Sequence, residues 1–133
     1  MEIKSPKIQE SKSLEFNRKI LEKGKIQALL IPTSQLIKPF KLKKPQLELD
    51  SPALRSASKN KISIAIDLNE ISQLGKKQKA ICLSNLIYII KLCRKSNTNL
   101  ALINTKDKKD VQALLTSLGA SSQQIGKTIY LKA

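Results

Sequence analysis

Three short apolar runs constrain the fold of this chain more than any other feature of its sequence. They occupy residues 26–31, 62–66 and 100–103, and residues 128–131 form a weaker fourth run. Nearly continuous apolar runs are typical of strands that are buried on both faces of a parallel sheet. Because helical patterns lie between the runs, the sequence predicts an α/β fold with about four parallel strands and flanking helices.

The longest helical pattern covers residues 76–95 and contains neither proline nor glycine. Its apolar side chains recur at helical spacing, which predicts one broad stripe facing the core. That stripe holds Cys82, Leu83, Leu86, Ile89, Ile90 and Cys93. Capping residues indicate three further helices. These are residues 14–23 after Ser13, residues 51–59 after Asp50, and a helix that follows Asp107 or Asp110 and ends at Leu118.

Two segments have no such pattern. Residues 1–12 predict an extended lead-in, which leaves residues 13–133 as a single α/β domain. Residues 33–49 predict a long loop that contains Pro39 and Pro45. Long loops in compact domains are often functional. This one is a candidate phosphate-contacting segment through Lys38, Lys41, Lys43 and Lys44, with a merely solvated loop as the equal alternative.

The charge balance indicates a polyanionic partner. The chain has 25 basic and 10 acidic residues, giving a formal charge of +15. A field of this sign concentrates nucleic acid, although a soluble lysine-rich surface is the alternative explanation. Lysine far outnumbers arginine, and the four tyrosines and phenylalanines are scattered. These features favour contact with the backbone of folded RNA over reading or stacking of bases, and they do not exclude DNA.

The longest helix carries the other candidate RNA contacts. Its basic residues cluster at its two ends and are Lys76, Lys77, Lys79, Lys91, Arg94 and Lys95. Two solvated helix ends are the alternative for either cluster alone. A thinner apolar arc on the same helix is a candidate partner interface and consists of Ile81, Tyr88 and Leu92.

The residue inventory excludes many catalytic sites. The chain has no histidine and two cysteines, so it can build neither a Ser-His-Asp triad nor a His-containing or four-cysteine zinc site. Cys82 and Cys93 lie about 16 Å apart along one helix, which is too far for a disulfide. Asp67 and Glu70 follow a predicted strand and could hold a metal, but helix capping by Asp67 is the favoured interpretation. We therefore expect no catalytic residue and no metal site.

The sequence also bears on the location of the protein. No apolar run approaches the roughly 20 residues that a membrane-spanning helix needs, and no signal peptide is evident. We expect a cytoplasmic protein without membrane contact.

Several segments, in order along the chain, resemble a known family. The first two are Asn17-Arg18-Lys19-Ile20-Leu21-Glu22 and Lys25-Ile26-Gln27-Ala28-Leu29-Leu30. They are followed by Ile64-Ala65-Ile66-Asp67-Leu68, by Leu92-Cys93-Arg94-Lys95 running into Leu100-Ala101-Leu102-Ile103, and by Leu114-Leu115-Thr116-Ser117-Leu118-Gly119. This series resembles ribonuclease P protein component 3, the barrel-type protein subunit of the archaeal and eukaryotic enzyme. No single segment is catalytic or unique, so the resemblance depends on their order.

The resemblance implies a partial TIM-barrel-like (βα) repeat without an active site of its own. The protein would bind and support the ribonuclease P RNA that removes the 5′ leader from precursor tRNA. Its partners would be that RNA and other protein subunits, notably a small ferredoxin-like one. The protein would bind no cofactor, and magnesium would belong to the RNA. Two alternatives stay open: a small basic RNA- or protein-binding scaffold unrelated to tRNA, and a degenerate relative of metal-dependent barrel hydrolases.

The chain departs from the family pattern at three places. Gln27 stands where an acidic residue is common, and Asn104-Thr105-Lys106-Asp107 replaces a small Ser-Gly pattern. A closed barrel needs about eight strands, whereas about four are evident. The strands at residues 26–31 and 128–131 would then be open edges. We expect another polypeptide, a second copy of the chain or the lead-in to cover them.

Overall fold

The structure, a computed structural model, describes residues 7–132. The strands are β1 Ile8–Glu10, β2 Ala28–Leu30, β3 Ser63–Ile66, β4 Leu100–Ile103 and β5 Ile129–Leu131. The helices are α1 Leu14–Lys23, α2 Thr33–Leu36, α3 Ser51–Lys59, α4 Leu68–Ser72, α5 Lys76–Ser96, α6 Lys108–Ser117 and α7 Ser122–Gly126. All five strands are parallel and lie in the order β1-β2-β3-β4-β5. The predicted α/β fold is confirmed, with one strand more than the sequence indicates.

The additional strand comes from the predicted lead-in. Ile8 and Glu10 pair in parallel with Ala28 and Leu30 of β2. The lead-in itself therefore covers the strand edge at residues 26–31. The sequence had left three candidates for this role: another polypeptide, a second copy of the chain and the lead-in. Strands β1 and β5 are the edges of the sheet within the described part of the chain. The first six lead-in residues and Ala133 lie outside the described residues.

The sheet separates two apolar layers. Alternate strand residues such as Leu29, Ile64 and Leu102 pack with the helices in the main core. Their neighbours Ala28 and Ala65 belong to a smaller cluster on the opposite face, built from strand residues alone. This is the period of two that strand geometry imposes. The predicted stripe of α5 lies in the main core, and all its members are buried except the partly buried Leu83.

Helix caps agree closely with the sequence. Ser13 Oγ accepts a hydrogen bond from Phe16 N, and Gly24 ends α1 with a φ of 68°. The Asp67 carboxylate accepts hydrogen bonds from Asn69 N and Glu70 N at the start of α4. Asp67 is thus a cap, as the sequence favoured. The sequence allowed either Asp107 or Asp110 to cap α6. The cap is Asp107, and Asp110 lies in the first turn of the helix.

The interval between β2 and α3 is not entirely a loop. It begins with α2, and only residues after Leu36 are irregular. Helix α7 was not predicted either. It begins with a capping box in which Ser121 and Gln124 exchange hydrogen bonds, and Gln124 Nε2 also donates to Ile90 O of α5 at 2.9 Å. Helices this short have no apolar periodicity of their own to reveal them.

Asp50 combines helix capping with an ion pair. Its carboxylate accepts a hydrogen bond from Ala53 N at 3.0 Å and pairs with Arg18 of α1. Partial burial acts to raise the pKa of Asp50. The hydrogen bonds from Arg18 and Ala53 and the charges of Arg18 and Arg55 outweigh burial, so the pKa lies below its usual value.

A depressed pKa makes the contribution of Asp50 sensitive to acid. The stabilisation is complete above the unfolded pKa of about 4 and is lost as pH falls through the lower folded value. We expect Asp50→Ala to lower the free energy of unfolding at neutral pH by about 1 kcal/mol, since the cap is lost. Asp50→Asn keeps a capping acceptor, so it should cost less and show a flatter acid decline than the wild type. Urea unfolding across pH measures both effects. If the stability of Asp50→Asn and that of the wild type decline in parallel with falling pH, the depressed pKa of Asp50 would be contradicted.

Both cysteines are free and buried, as expected from their spacing. Burial raises the pKa of the Cys82 thiol to about 11 and that of the Cys93 thiol to about 12. A thiol reacts as the thiolate. We expect neither residue to react with Ellman's reagent in the native protein at about pH 8, and both to react in concentrated guanidinium chloride. Rapid native labelling of Cys93, which is 0% exposed, would show that α5 leaves the sheet readily.

Candidate nucleic-acid interface

Five of the basic residues of α5 lie on one side of the helix. Lys76 and Arg94 are 18 positions apart, as are Lys77 and Lys95. Eighteen residues make five helical turns, so each pair lies on one line about 27 Å long. These four residues and Lys91, here called the basic α5 face, are exposed, whereas Lys79 is partly buried. The two clusters that the sequence suggested therefore share one side of the helix.

The centre of this surface is neutral. Ala80, Ser84 and Ile87 are exposed between the two basic ends, and Ile87 has 47% of its surface exposed. Phosphates of one RNA strand are spaced far more closely than 27 Å. The arrangement therefore suits two separate groups of phosphates, as two segments of a folded RNA would present them.

A second basic surface, here called the lysine hairpin, consists of residues 38–44. Lys41 N donates to Lys44 O at 2.8 Å and Lys44 N donates to Lys41 O at 3.0 Å. The two residues between them, Leu42 and Lys43, have φ values of 52° and 64°. Such a two-residue turn normally contains glycine or asparagine, so the exposed tip is held in an uncommon conformation. All four lysines of the hairpin are exposed, and Leu42 at its tip is 89% exposed.

Asn85 fastens the base of the lysine hairpin to α5. This residue is 0% exposed, and its Nδ2 donates to Leu36 O at 2.6 Å and to Lys38 O at 3.1 Å. The two bonds fix the backbone where the hairpin leaves α2. Sequence reasoning missed this role, although a signal was present, since Asn85 is a polar residue beside Leu86 in the apolar stripe.

The apolar arc of α5 is partly covered by the chain itself. Ile81, Tyr88 and Leu92 are each partly buried, and Leu92 packs against the main core. They lie on the same side of the helix as Asn85 by helical spacing. The described chain therefore covers part of each of these side chains, and only the exposed part of the arc is left for a partner.

A groove between α3 and α5 adds one cation that sequence reasoning missed. It has a volume of about 310 Å³ and is lined by Ser51, Arg55, Leu92, Lys95 and Ser96. Arg55 is exposed and faces the same groove as Lys95. The sequence predicts helix α3, but it gives no sign that Arg55 on this helix lies beside Lys95 of α5. Their proximity depends on how α3 packs.

Among the described residues, no carboxylate forms an ion pair with the candidate RNA contacts. Within residues 7–132 the ion pairs are Arg18 with Asp50 and Lys19 with Glu15, and neither involves the basic α5 face or the lysine hairpin. The same residues contain no group of three or more His, Cys, Asp or Glu side chains placed to hold a metal. No helix in this part of the chain is both long and apolar enough to span a membrane.

Comparisons with known proteins show a similarity to a solved structure. No protein-family model and no curated protein sequence matches the chain. A chain in a cryo-EM structure of archaeal ribonuclease P with mature tRNA is similar, with a TM-score of 0.70 and 19% sequence identity. The similarity covers 90% of this chain and 51% of that one. The chain thus spans about half the length of a protein with which it shares the fold.

Proposed function

We propose that this protein is a subunit of ribonuclease P and that it binds and supports the RNA of that enzyme. The observation that carries the proposal is the shared fold with a chain of archaeal ribonuclease P over 90% of this sequence. Two further features support it. The family segments follow one another in the expected order, and the formal charge is +15.

The basic α5 face and the lysine hairpin are the proposed RNA contacts, together with Lys79. Lysine ammonium groups attract phosphates without fixing the base sequence. Asn85 would set the position of the hairpin relative to α5, so that the two surfaces bind as one unit. Arg55 extends the contact into the groove beside Lys95.

Protein partners would use the remaining apolar surface. In this proposal the small ferredoxin-like subunit contacts the uncovered part of Ile81, Tyr88 and Leu92. A second chain would complete the barrel at the edges formed by β1 and β5, since unpaired parallel strands readily accept another strand. Cleavage would come from the RNA and its magnesium, and the protein would contribute position and charge.

Reconstitution tests the proposal. The protein is added to ribonuclease P RNA and the remaining protein subunits, and cleavage of the 5′ leader from precursor tRNA is measured at limiting magnesium. We expect the full chain to raise the rate, and a variant lacking the charges of the basic α5 face to raise it less. A protein that neither stimulates cleavage nor binds the RNA would contradict the proposal. The alternative of a basic scaffold unrelated to tRNA would then remain.

A further inference from the structure

A cavity at one edge of the sheet has the features of an anion site. Its volume is about 450 Å³, and it is lined by residues that follow β4 and by the end of β5. Three of them are lysines, namely Lys106, Lys108 and Lys132. Carboxyl ends of parallel strands are where α/β proteins usually bind ligands. We propose that this cavity binds the phosphate group of a nucleotide, either free or within an RNA strand.

The lysines are available to a ligand. The ion pairs within the described residues involve none of the three. Lys108 Nζ lies 4.7 Å from the centroid of the Tyr130 ring, which also lines the cavity. A cation over an aromatic face is held in place while it keeps its charge. The cavity therefore contains three positive charges, one of which has a defined position.

Among the described residues, no carboxylate side chain lines this cavity. Asp107 and Asp110 line the adjacent cavity, which shares Thr105 and Lys106 with this one. The Asp107 carboxylate is occupied by the backbone N–H groups of Lys109 and Asp110. Lys108 begins α6, so the positive end of that helix dipole adds to the attraction for an anion.

Two of the lining residues also carry hydroxyl groups that are shielded from solvent. Thr105 Oγ1 and Tyr130 OH are buried and have no hydrogen-bond partner in the described part of the chain. A buried hydroxyl without a partner is costly. The attraction for a phosphate comes from the three lysines. The volume is larger than one phosphate requires and lies within the range of about 300–1,000 Å³ typical of small-molecule sites, so we assign a nucleotide rather than a free phosphate ion.

The inference is independent of the proposed function, because the cavity uses residues outside the basic α5 face and the lysine hairpin. Its test compares two variants of the full chain with the same loss of charge. The cavity variant is Lys106→Gln, Lys108→Gln and Lys132→Gln, and the control is Lys23→Gln, Lys25→Gln and Lys59→Gln at exposed positions elsewhere. Thermal unfolding checks that both are folded.

Binding of adenosine monophosphate is measured by isothermal titration and by backbone amide NMR shifts at about 0.15 M salt. We expect binding to the cavity variant to be at least about tenfold weaker than to the wild type, because charge-assisted hydrogen bonds are lost. The control should bind within about twofold of wild type. Amide shifts should centre on Thr105, Lys106 and Lys132. Equal weakening of both variants, or no binding by the wild type at millimolar nucleotide, would overturn the inference.

Short single-stranded RNAs with and without a 5′ phosphate identify the source of the phosphate. A cavity-dependent preference for the phosphorylated RNA indicates a strand end, and equal cavity-dependent binding of both RNAs indicates an internal phosphate. Binding of the mononucleotide alone indicates a free nucleotide. The reconstituted cleavage assay with the cavity variant separates this site from the proposed function. Normal stimulation of cleavage together with lost nucleotide binding would support the site and leave the function intact.

Discussion

Replacing Asn17 with alanine is expected to lower the free energy of unfolding by about 3–4 kcal/mol, a large part of the stability of a domain of this size. Asn17 is 0% exposed. Its Nδ2 donates to Ser11 Oγ at 2.8 Å and to Glu48 O at 2.7 Å, and its Oδ1 accepts from Lys12 N at 3.0 Å. The single side chain thereby joins the segment after β1, helix α1 and the segment before α3.

The cost of this substitution exceeds the three hydrogen bonds themselves. Alanine would leave Glu48 O and Lys12 N without their partners in a partly buried site, and unpaired buried groups cost more than a paired bond contributes. Lys19→Ala is the matched control, because Lys19 lies on the same helix with 70% of its side chain exposed and forms a surface pair with Glu15. Exposed pairs of this kind contribute less than about 1 kcal/mol.

Denaturant unfolding of the two variants measures the difference. We also expect amide hydrogen exchange in Asn17→Ala to accelerate first at Ser11 and in β1. Strand β1 is short, and the variant loses the hydrogen bonds that attach the residues after β1 to α1. Similar losses for Asn17→Ala and Lys19→Ala, or a loss below about 1 kcal/mol, would show that the three bonds contribute little net stability.

Asn17 and Arg18 also explain part of the family resemblance in physical terms. Asn17 is a buried hydrogen-bonding centre and Arg18 pairs with Asp50. Both therefore stabilise the fold, and the buried Asn17 side chain is not accessible to RNA. The first segment of the family resemblance is thus a structural element, which agrees with a similarity that lies in the fold.

Much of the fold could be predicted because local signals and tertiary structure agree. Ser13 and Gly24 delimit α1 on their own, and the run at residues 100–103 coincides with β4. Strand β1 could not be predicted. It has three residues, IQE, which carry no apolar alternation, and it becomes a strand only because β2 offers an unpaired edge. Such pairing is a property of the whole sheet and leaves no signal in a window of the sequence.

The candidate interface was predictable in its charges and less so in its arrangement. Helical spacing alone places Lys77 and Lys95 on one line. The attachment of the lysine hairpin depends on Asn85 bonding to Leu36 O and Lys38 O, which are 49 and 47 residues away. The meeting of Arg55 with Lys95 depends on the packing of α3 against α5. Long-range contacts of this kind require the folded structure.

Removing four of the five charges of the basic α5 face is expected to weaken binding of ribonuclease P RNA by about two orders of magnitude at about 0.1 M salt. The variant changes Lys77, Lys91, Arg94 and Lys95 to glutamine. Each phosphate contact contributes about 0.9 to the slope of log affinity against log salt. Loss of three to four contacts should therefore lower the slope by about 3, and the salt dependence identifies the lost interaction as phosphate neutralisation.

A control with the same charge separates position from net charge. Lys23, Lys25, Lys59 and Lys61 are exposed and lie outside both basic surfaces, and changing them to glutamine also lowers the formal charge of +15 by four. At the ionic strength of the cell the Debye length is about 8 Å, so a charge acts mainly on phosphates close to it. We expect the control to keep a slope within about 1 of the wild type.

Filter binding over a range of potassium chloride concentrations distinguishes two physical situations. If the face binds defined phosphates, the slope of the α5 variant is about 3 lower than that of the wild type, whereas the slope of the control stays within about 1 of the wild type. If the net charge merely concentrates RNA at the surface, the two variants lose the same affinity at each salt concentration and have the same slope. The second result would contradict the assignment of α5 as an RNA-binding helix, because its lysines would then be equivalent to any others on the protein.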